Sequence, residues 1–274
     1  APLKPSTAAA EAPVFYGWMA FNSEWNKNTT GNYGIYSFPA VAHPSFTKVL
    51  TTKNASATAN ADGKLCGYYV LNYGGAISIR YFMYDADSGE LKAEKTYGTN
   101  NVEDIYTHYA YTLAYNHKDA TLYGEFFRQS GNDLAVCLSS IDPMTGVPTE
   151  VVEMKTGGVL FVAMAFDDNG TLYAIGDDGI LYTVNTTTGN LNKIGSTGLS
   201  PMDPQCAYID SANGKMYWSY LSTSQATGFY EVDLATGRTS LVSEYPATIW
   251  MVGLYRDHTA TGKVPGKITD LTVN

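Results

Sequence analysis

The stretch Phe161-Val-Ala-Met-Ala-Phe-Asp-Asp-Asn-Gly-Thr-Leu-Tyr-Ala-Ile-Gly176 decides the fold. Six apolar residues are followed by a polar turn ending in Gly170, and Leu172-Tyr173 opens a second apolar run. Such a turn between two short runs is the signature of a hairpin, because Gly adopts the positive φ of a tight turn at no steric cost. The pattern recurs on both sides. It reads Ala110-Tyr-Thr-Leu-Ala-Tyr-Asn-His-Lys-Asp-Ala-Thr-Leu-Tyr123 and Cys206-Ala-Tyr-Ile-Asp-Ser-Ala-Asn-Gly-Lys-Met-Tyr217, with a weaker copy at Ala57-Thr-Ala-Asn-Ala-Asp-Gly-Lys-Leu-Cys66. The equivalent positions 66, 123, 173 and 217 are separated by 57, 50 and 44 residues.

A second turn follows each first one: Asp85-Ala-Asp-Ser-Gly89, Asp142-Pro-Met-Thr-Gly146, Asn185-Thr-Thr-Thr-Gly189 and Asp233-Leu-Ala-Thr-Gly237. The leading Asp or Asn caps the turn with its side chain. The segments before these turns alternate. Ile180, Tyr182 and Val184 share one face, as do Tyr230, Val232 and Leu234, and period two predicts half-buried strands. Each unit of about fifty residues thus holds four antiparallel strands, which is one blade of a β-propeller. The first unit starts at its second strand, Val14-Phe-Tyr-Gly-Trp-Met-Ala-Phe21, with Tyr16 in phase with Cys66. The missing strand is Ile249-Trp-Met-Val-Gly-Leu-Tyr255. The expectation is an all-β propeller of about five four-stranded blades, six being the alternative count. The ring closes where the C-terminal strand pairs with the N-terminal blade.

The 274 residues carry a net charge of -9, so a phosphate backbone is an unfavourable partner and nucleic acid is not expected. No apolar run is long enough to span a bilayer. Residues 1–13 read as a Pro/Ala/Thr linker and 14–260 as the propeller. Within 261–274, Val264-Pro-Gly-Lys-Ile-Thr-Asp-Leu-Thr-Val-Asn274 resembles the first strand of a fibronectin type III domain. Cys66, Cys137 and Cys206 lie in apolar strands and read as small buried hydrophobes. Sequence signatures of nucleophile elbows, zinc helices, phosphate loops and dinucleotide sites are missing, and the four histidines lack metal-ligand spacing. No cofactor and no metal site is expected, and a monomer is.

Carried by Gly-Thr-Leu-Tyr173, Gly-Ile-Leu-Tyr182-Thr-Val and Thr188-Gly189, the chain resembles secreted or lipid-anchored β-propeller proteins of gut-dwelling bacteria. That resemblance implies an extracytoplasmic protein, secreted, periplasmic or anchored at the cell surface. A propeller's ligands meet the loops leading into the innermost strands and those joining second to third strands. These loops and their borders place Trp25, Tyr73, Tyr106, His108, Tyr245 and Trp250 as candidate ligand-binding residues. Aromatic faces beside Asn and Asp suit sugar rings. The leading reading is a non-catalytic binding or adhesion module for a glycan or a surface protein. One alternative is a glycoside hydrolase or lyase using Glu103 or Asp104 with Asp203, since glycoside hydrolysis needs two opposed carboxyl groups. A structural spacer is the other.

Overall fold

In the computed structural model, residues 12–25, 29–98, 107–131 and 133–256 are described. The linker expected over 1–13 lies outside them except for 12 and 13, as does the strand expected within 261–274. The described strands form five four-stranded antiparallel sheets. Blade I holds β1 (Val14–Asn22), β2 (Gly34–Pro39), β3 (Thr47–Thr51) and, as its innermost strand, the C-terminal β20 (Ile249–Tyr255). Blade II is β4 (Ala57–Ala61), β5 (Lys64–Tyr73), β6 (Ala76–Asp85) and β7 (Leu91–Tyr97). Blade III is β8 (Leu113–Asn116), β9 (Thr121–Ser130), β10 (Asp133–Ile141) and β11 (Pro148–Glu153). Blade IV is β12 (Phe161–Phe166), β13 (Leu172–Gly176), β14 (Ile180–Val184) and β15 (Leu191–Ser196). Blade V is β16 (Cys206–Asp210), β17 (Lys215–Leu221), β18 (Thr227–Val232) and β19 (Thr239–Glu244). The expected closure is present: β20 pairs antiparallel with β1, Tyr16 opposite Tyr255 and Asn22 opposite Ile249.

The innermost strands pack against one another around the ring and are rich in small residues: Ala57, Ala59 and Ala61, Ala114, Ala163 and Ala165, Ala207 and Gly253. A Cβ on Gly253 would stand 1.9 Å from Thr58 Oγ1, so β20 seats against β4 because position 253 has no side chain. Thr58 donates from that hydroxyl to the Val252 carbonyl at 3.0 Å. Five apolar cores fill the five inter-blade spaces. Trp18 and Phe82 lie between blades I and II, Tyr68 and Phe126 between II and III, and Phe161 and Leu138 between III and IV. Trp218 and Ile175 lie between IV and V, Phe229 and Phe15 between V and I.

This arrangement corrects the expectation of half-buried strands. Val232 packs with Tyr230 and Leu234 on the IV–V side, while Phe229 of the same strand is fully buried on the V–I side. A blade has a neighbour on each face, so both sets of alternating residues are largely covered in its inner strands, while outermost strands such as β3 and β7 stay largely exposed. The three cysteines are buried and unpaired, and burial pushes the Cys66 thiol up to about 12 and Cys137 up to about 11.

The Asx-led turns also fasten blades together. The Asp142–Gly146 turn closes on itself, Gly146 N–H donating to Asp142 O at 2.7 Å, and then docks on blade II. Three phenols of blade II donate to its carbonyls: Tyr68 to Gly146 at 2.5 Å, Tyr81 to Pro143 at 2.6 Å and Tyr97 to Thr145 at 2.6 Å. In these three tyrosines a ring fills an apolar interface and a hydroxyl satisfies a turn carbonyl at its rim. An ion pair fastens the last junction. Arg256 Nη1 lies 2.7 Å from Asp210 Oδ2, tying the end of β20 to blade V.

Candidate functional site

Antiparallel pairing puts the Asx-led turns and the first-to-second-strand turns at one end of the ring. The loops joining blades, and those joining second to third strands, are at the other. We call the latter the loop face. Along the axis the side chains leave a cavity of only about 50 Å³, lined by Thr58, Leu113, Met164, Cys206 and Leu254 among others. That is room for a water or two within the axis.

Sequence reasoning put the site at the mouth of this axis, and the structure places those residues in separate sectors. Trp25 sits in the β1–β2 loop, edge-on to Tyr33 at 5.7 Å, and packs against the V–I core. Tyr245 packs on the same core. Its hydroxyl is 2.9 Å from Ser219 Oγ and its ring meets Phe46 at 5.5 Å. Trp250, at the start of β20, donates its indole N–H to Pro204 O at 2.7 Å and packs on the I–II core. On the far side, between blades II and III, His108 stacks on Tyr97 with centroids 4.0 Å apart and rings 14° from parallel. Tyr73 faces Ala76 at the tip of the β5–β6 hairpin, and its side chain is outside the described residues. So are Glu103, Asp104 and Tyr106.

The third acid, Asp203, is exposed on the loop leading into β16, with a left-handed φ of 55°. Its charge reaches blade III, where Tyr109 and Tyr111 are raised first by burial and then by Glu125, Asp203 and, for Tyr111, Asp177. Glu125 is fully buried at the III–IV junction. It accepts the Phe161 N–H at 3.0 Å and the Thr112 hydroxyl at 3.4 Å. Burial outweighs these bonds and holds its carboxyl well above the usual range. The next residue in the Asp203 loop but one, Gln205, is buried and fully engaged. Its side chain donates to Met202 O and Leu221 O and accepts from Trp218 Nε1 and Leu221 N.

A ligand-sized concavity lies elsewhere on the loop face, where blades I and II part above their shared core. It has a volume of about 660 Å³. Three chain segments build it: the β1–β2 loop with Tyr33, the loop leading into β4 with Lys53 and Asn54, and the β5–β6 hairpin with Tyr69, Arg80 and Tyr84. Period two in the hairpin makes its floor. Tyr69 faces Arg80 directly across the ladder, and Arg80 shares a face with Phe82 and Tyr84. The walls are tied together. Thr52 N–H donates to Tyr33 O at 3.1 Å, and Lys53 N–H donates to the Tyr84 hydroxyl at 3.1 Å. Burial raises the Tyr33 and Tyr84 phenols, which keeps both as neutral hydroxyls at ordinary pH. From β7, Glu94 hydrogen-bonds Lys53 Nζ and stands 3.6 Å from Arg80 Nε.

Sequence reasoning missed this groove, although one signal existed. Arg80 occupies an inward position of an otherwise apolar alternation with Phe82 and Tyr84. A cation placed there by period two needs a partner or a purpose.

No protein-family model matches the chain, and no curated protein matches it. Solved structures resemble it as folds. A protein of unknown function from Bacteroides caccae is 13% identical, aligned over 89% of this chain and 98% of its own, with a TM-score of 0.49. TolB from Acinetobacter baumannii is 11% identical over 84% of this chain, with a TM-score of 0.46. The alignment takes in 53% of TolB, so the chain spans about half of its length. The periplasmic gluconolactonase PpgL from Pseudomonas aeruginosa is 12% identical, over 87% of this chain and 99% of its own, with a TM-score of 0.42. These likenesses concern the propeller architecture and transfer no site residue. Among the described residues no helix is long and apolar enough to cross a membrane, and no cluster of His, Cys, Asp or Glu is arranged to hold a metal ion.

Proposed function

We propose that the chain is a non-catalytic binding module working outside the bacterial cytoplasm, and that its ligand is a glycan held on the loop face between blades I and II. The groove itself carries this reading. Its volume of about 660 Å³ falls in the range of small-molecule sites, about 300–1,000 Å³. Its lining mixes the phenol rings of Tyr33 and Tyr69 with the amide of Asn54 and the hydroxyls of Thr30 and Thr51. Sugar C–H faces stack on such rings while sugar hydroxyls exchange hydrogen bonds with the polar groups. Trp25, against Tyr33, extends the aromatic surface beyond the groove. The extracytoplasmic placement is supported by the repeat and turn motifs shared with secreted propellers. A spacer would have no need of a pre-tied, aromatic-lined concavity. A hydrolase needs two opposed carboxyl groups, and among the described residues no carboxylate lines this groove.

The test is a melting-temperature screen against plant and host saccharides. A ligand at 100 times its Kd adds about 2.7 kcal/mol of stability. The expected result is a shift with one saccharide class that Tyr69→Ala abolishes and Trp250→Ala leaves in place, each variant compared with its own baseline. No shift with any saccharide, or a shift that survives Tyr69→Ala, would reject the groove as the glycan site.

A further inference from the structure

From the charges around this groove we infer that its saccharide is acidic, with Arg80 and Lys53 receiving a sugar carboxylate or sulfate. The inference rests on the reading of the groove as a glycan site and goes on to name the chemistry of the glycan. Among the described residues, two cations and no carboxylate line the groove. The nearest anion is Glu94, which reaches in from β7 and is shared by both, so one positive charge is left in excess. Glu94 satisfies Lys53 with a hydrogen bond, but at 3.6 Å from Arg80 Nε it is beyond hydrogen-bonding distance. The Arg80 Nε is shut off from solvent and finds no hydrogen-bond acceptor among the described residues. The guanidinium as a whole makes no hydrogen bond among them, although its side chain is 37% exposed and borders the cavity.

A planar fork of N–H donors beside a cavity matches the two oxygens of a carboxylate or sulfate, which accept parallel hydrogen bonds from it. Tyr69 stands directly opposite Arg80 on the same hairpin face. A sugar ring lying on that phenol would bring an acidic substituent to the guanidinium. The protein's overall charge of -9 repels anions at long range. A preference for an acidic sugar must therefore come from contacts at this site, and a single local substitution should remove it.

The experiment is calorimetric titration of the whole chain with oligogalacturonate, with a carrageenan oligosaccharide, which carries sulfate and no carboxylate, and with a neutral cello-oligosaccharide of similar length. The expected result is that one acidic saccharide binds at least about tenfold more tightly than the neutral one, and that Arg80→Gln removes about tenfold or more of that affinity. Which acidic arm binds tells carboxylate from sulfate. Glu94→Gln withdraws the competing carboxylate and should hold or tighten binding, which a merely structural role for the Lys53–Glu94–Arg80 group would not do. Neutral saccharide binding as tightly, with Arg80→Gln silent and Tyr69→Ala disruptive, would overturn the acidic ligand and leave the glycan groove standing. Acidic saccharide binding untouched by both Arg80→Gln and Tyr69→Ala would overturn the site. No binding in any arm would overturn both readings.

Discussion

Glu125 shows how much a single position can depend on its surroundings. It has no exposed surface, and its two hydrogen-bond donors, Phe161 N–H and the Thr112 hydroxyl, do not offset the loss of water around a charge. Asp177 adds a like charge nearby. With the folded pKa raised above the unfolded value of about 4.3, the folded chain holds a proton there that the unfolded chain has lost. The stability linked to this group is therefore complete below that value and declines as pH rises through the raised pKa. Glu125→Gln keeps the shape and removes the titration. Melting temperatures across neutral and acid pH should show the variant gaining on the parent as pH rises, and a constant difference would disprove the linkage. At this scale the sequence was only half legible. Tyr245 and Trp250 were singled out by residue type and place, but nothing local reveals that a hydroxyl meets Ser219 or that an indole meets Pro204. A platform and a packing aromatic look alike until their polar ends are accounted for.

At the scale of the element, the Asx-led turns were the most readable feature, because their chemistry is local. Asp85, Asp142, Asn185 and Asp233 each accept backbone N–H groups of their own turn, and the Gly at the end of each has a φ between 70° and 80°. What the sequence did not show is that the same turns are docking pieces. A Cβ at Gly146 would fall 2.2 Å from the Tyr81 ring, in a backbone conformation that already disfavours a side chain. Gly146→Ala should thus cost about 2–4 kcal/mol through strain and displacement of the tyrosine cup. Denaturant unfolding would measure it, and a loss under about 0.5 kcal/mol, as for an ordinary surface change, would mean that the turn is not clasped. The half-buried strands expected from alternation failed for a related reason. Period two tells which residues share a face and says nothing of how many faces have neighbours.

For the whole molecule, the blade count and the closure of the ring were legible because repeats announce themselves at a fixed spacing and because the missing first strand had to be supplied from somewhere. The groove was not. Its residues come from 30–33, 51–54 and 69–84, and they meet because blades I and II pack side by side on a shared core and the loop leading into β4 bonds to both. Gly253, Thr58 and the Arg256–Asp210 pair maintain ring closure some distance from the groove they help to shape. The central claim is that this junction, and no other part of the ring, receives the ligand. Hydrogen exchange with and without saturating saccharide, using the one that gives the largest melting shift, tests it most directly. Slowed exchange is expected only at 30–33, 51–54 and the β5–β6 hairpin. Protection centred on Asp203, Tyr245 and Trp250, or on the turn face around Tyr115 and Tyr208, would contradict that claim.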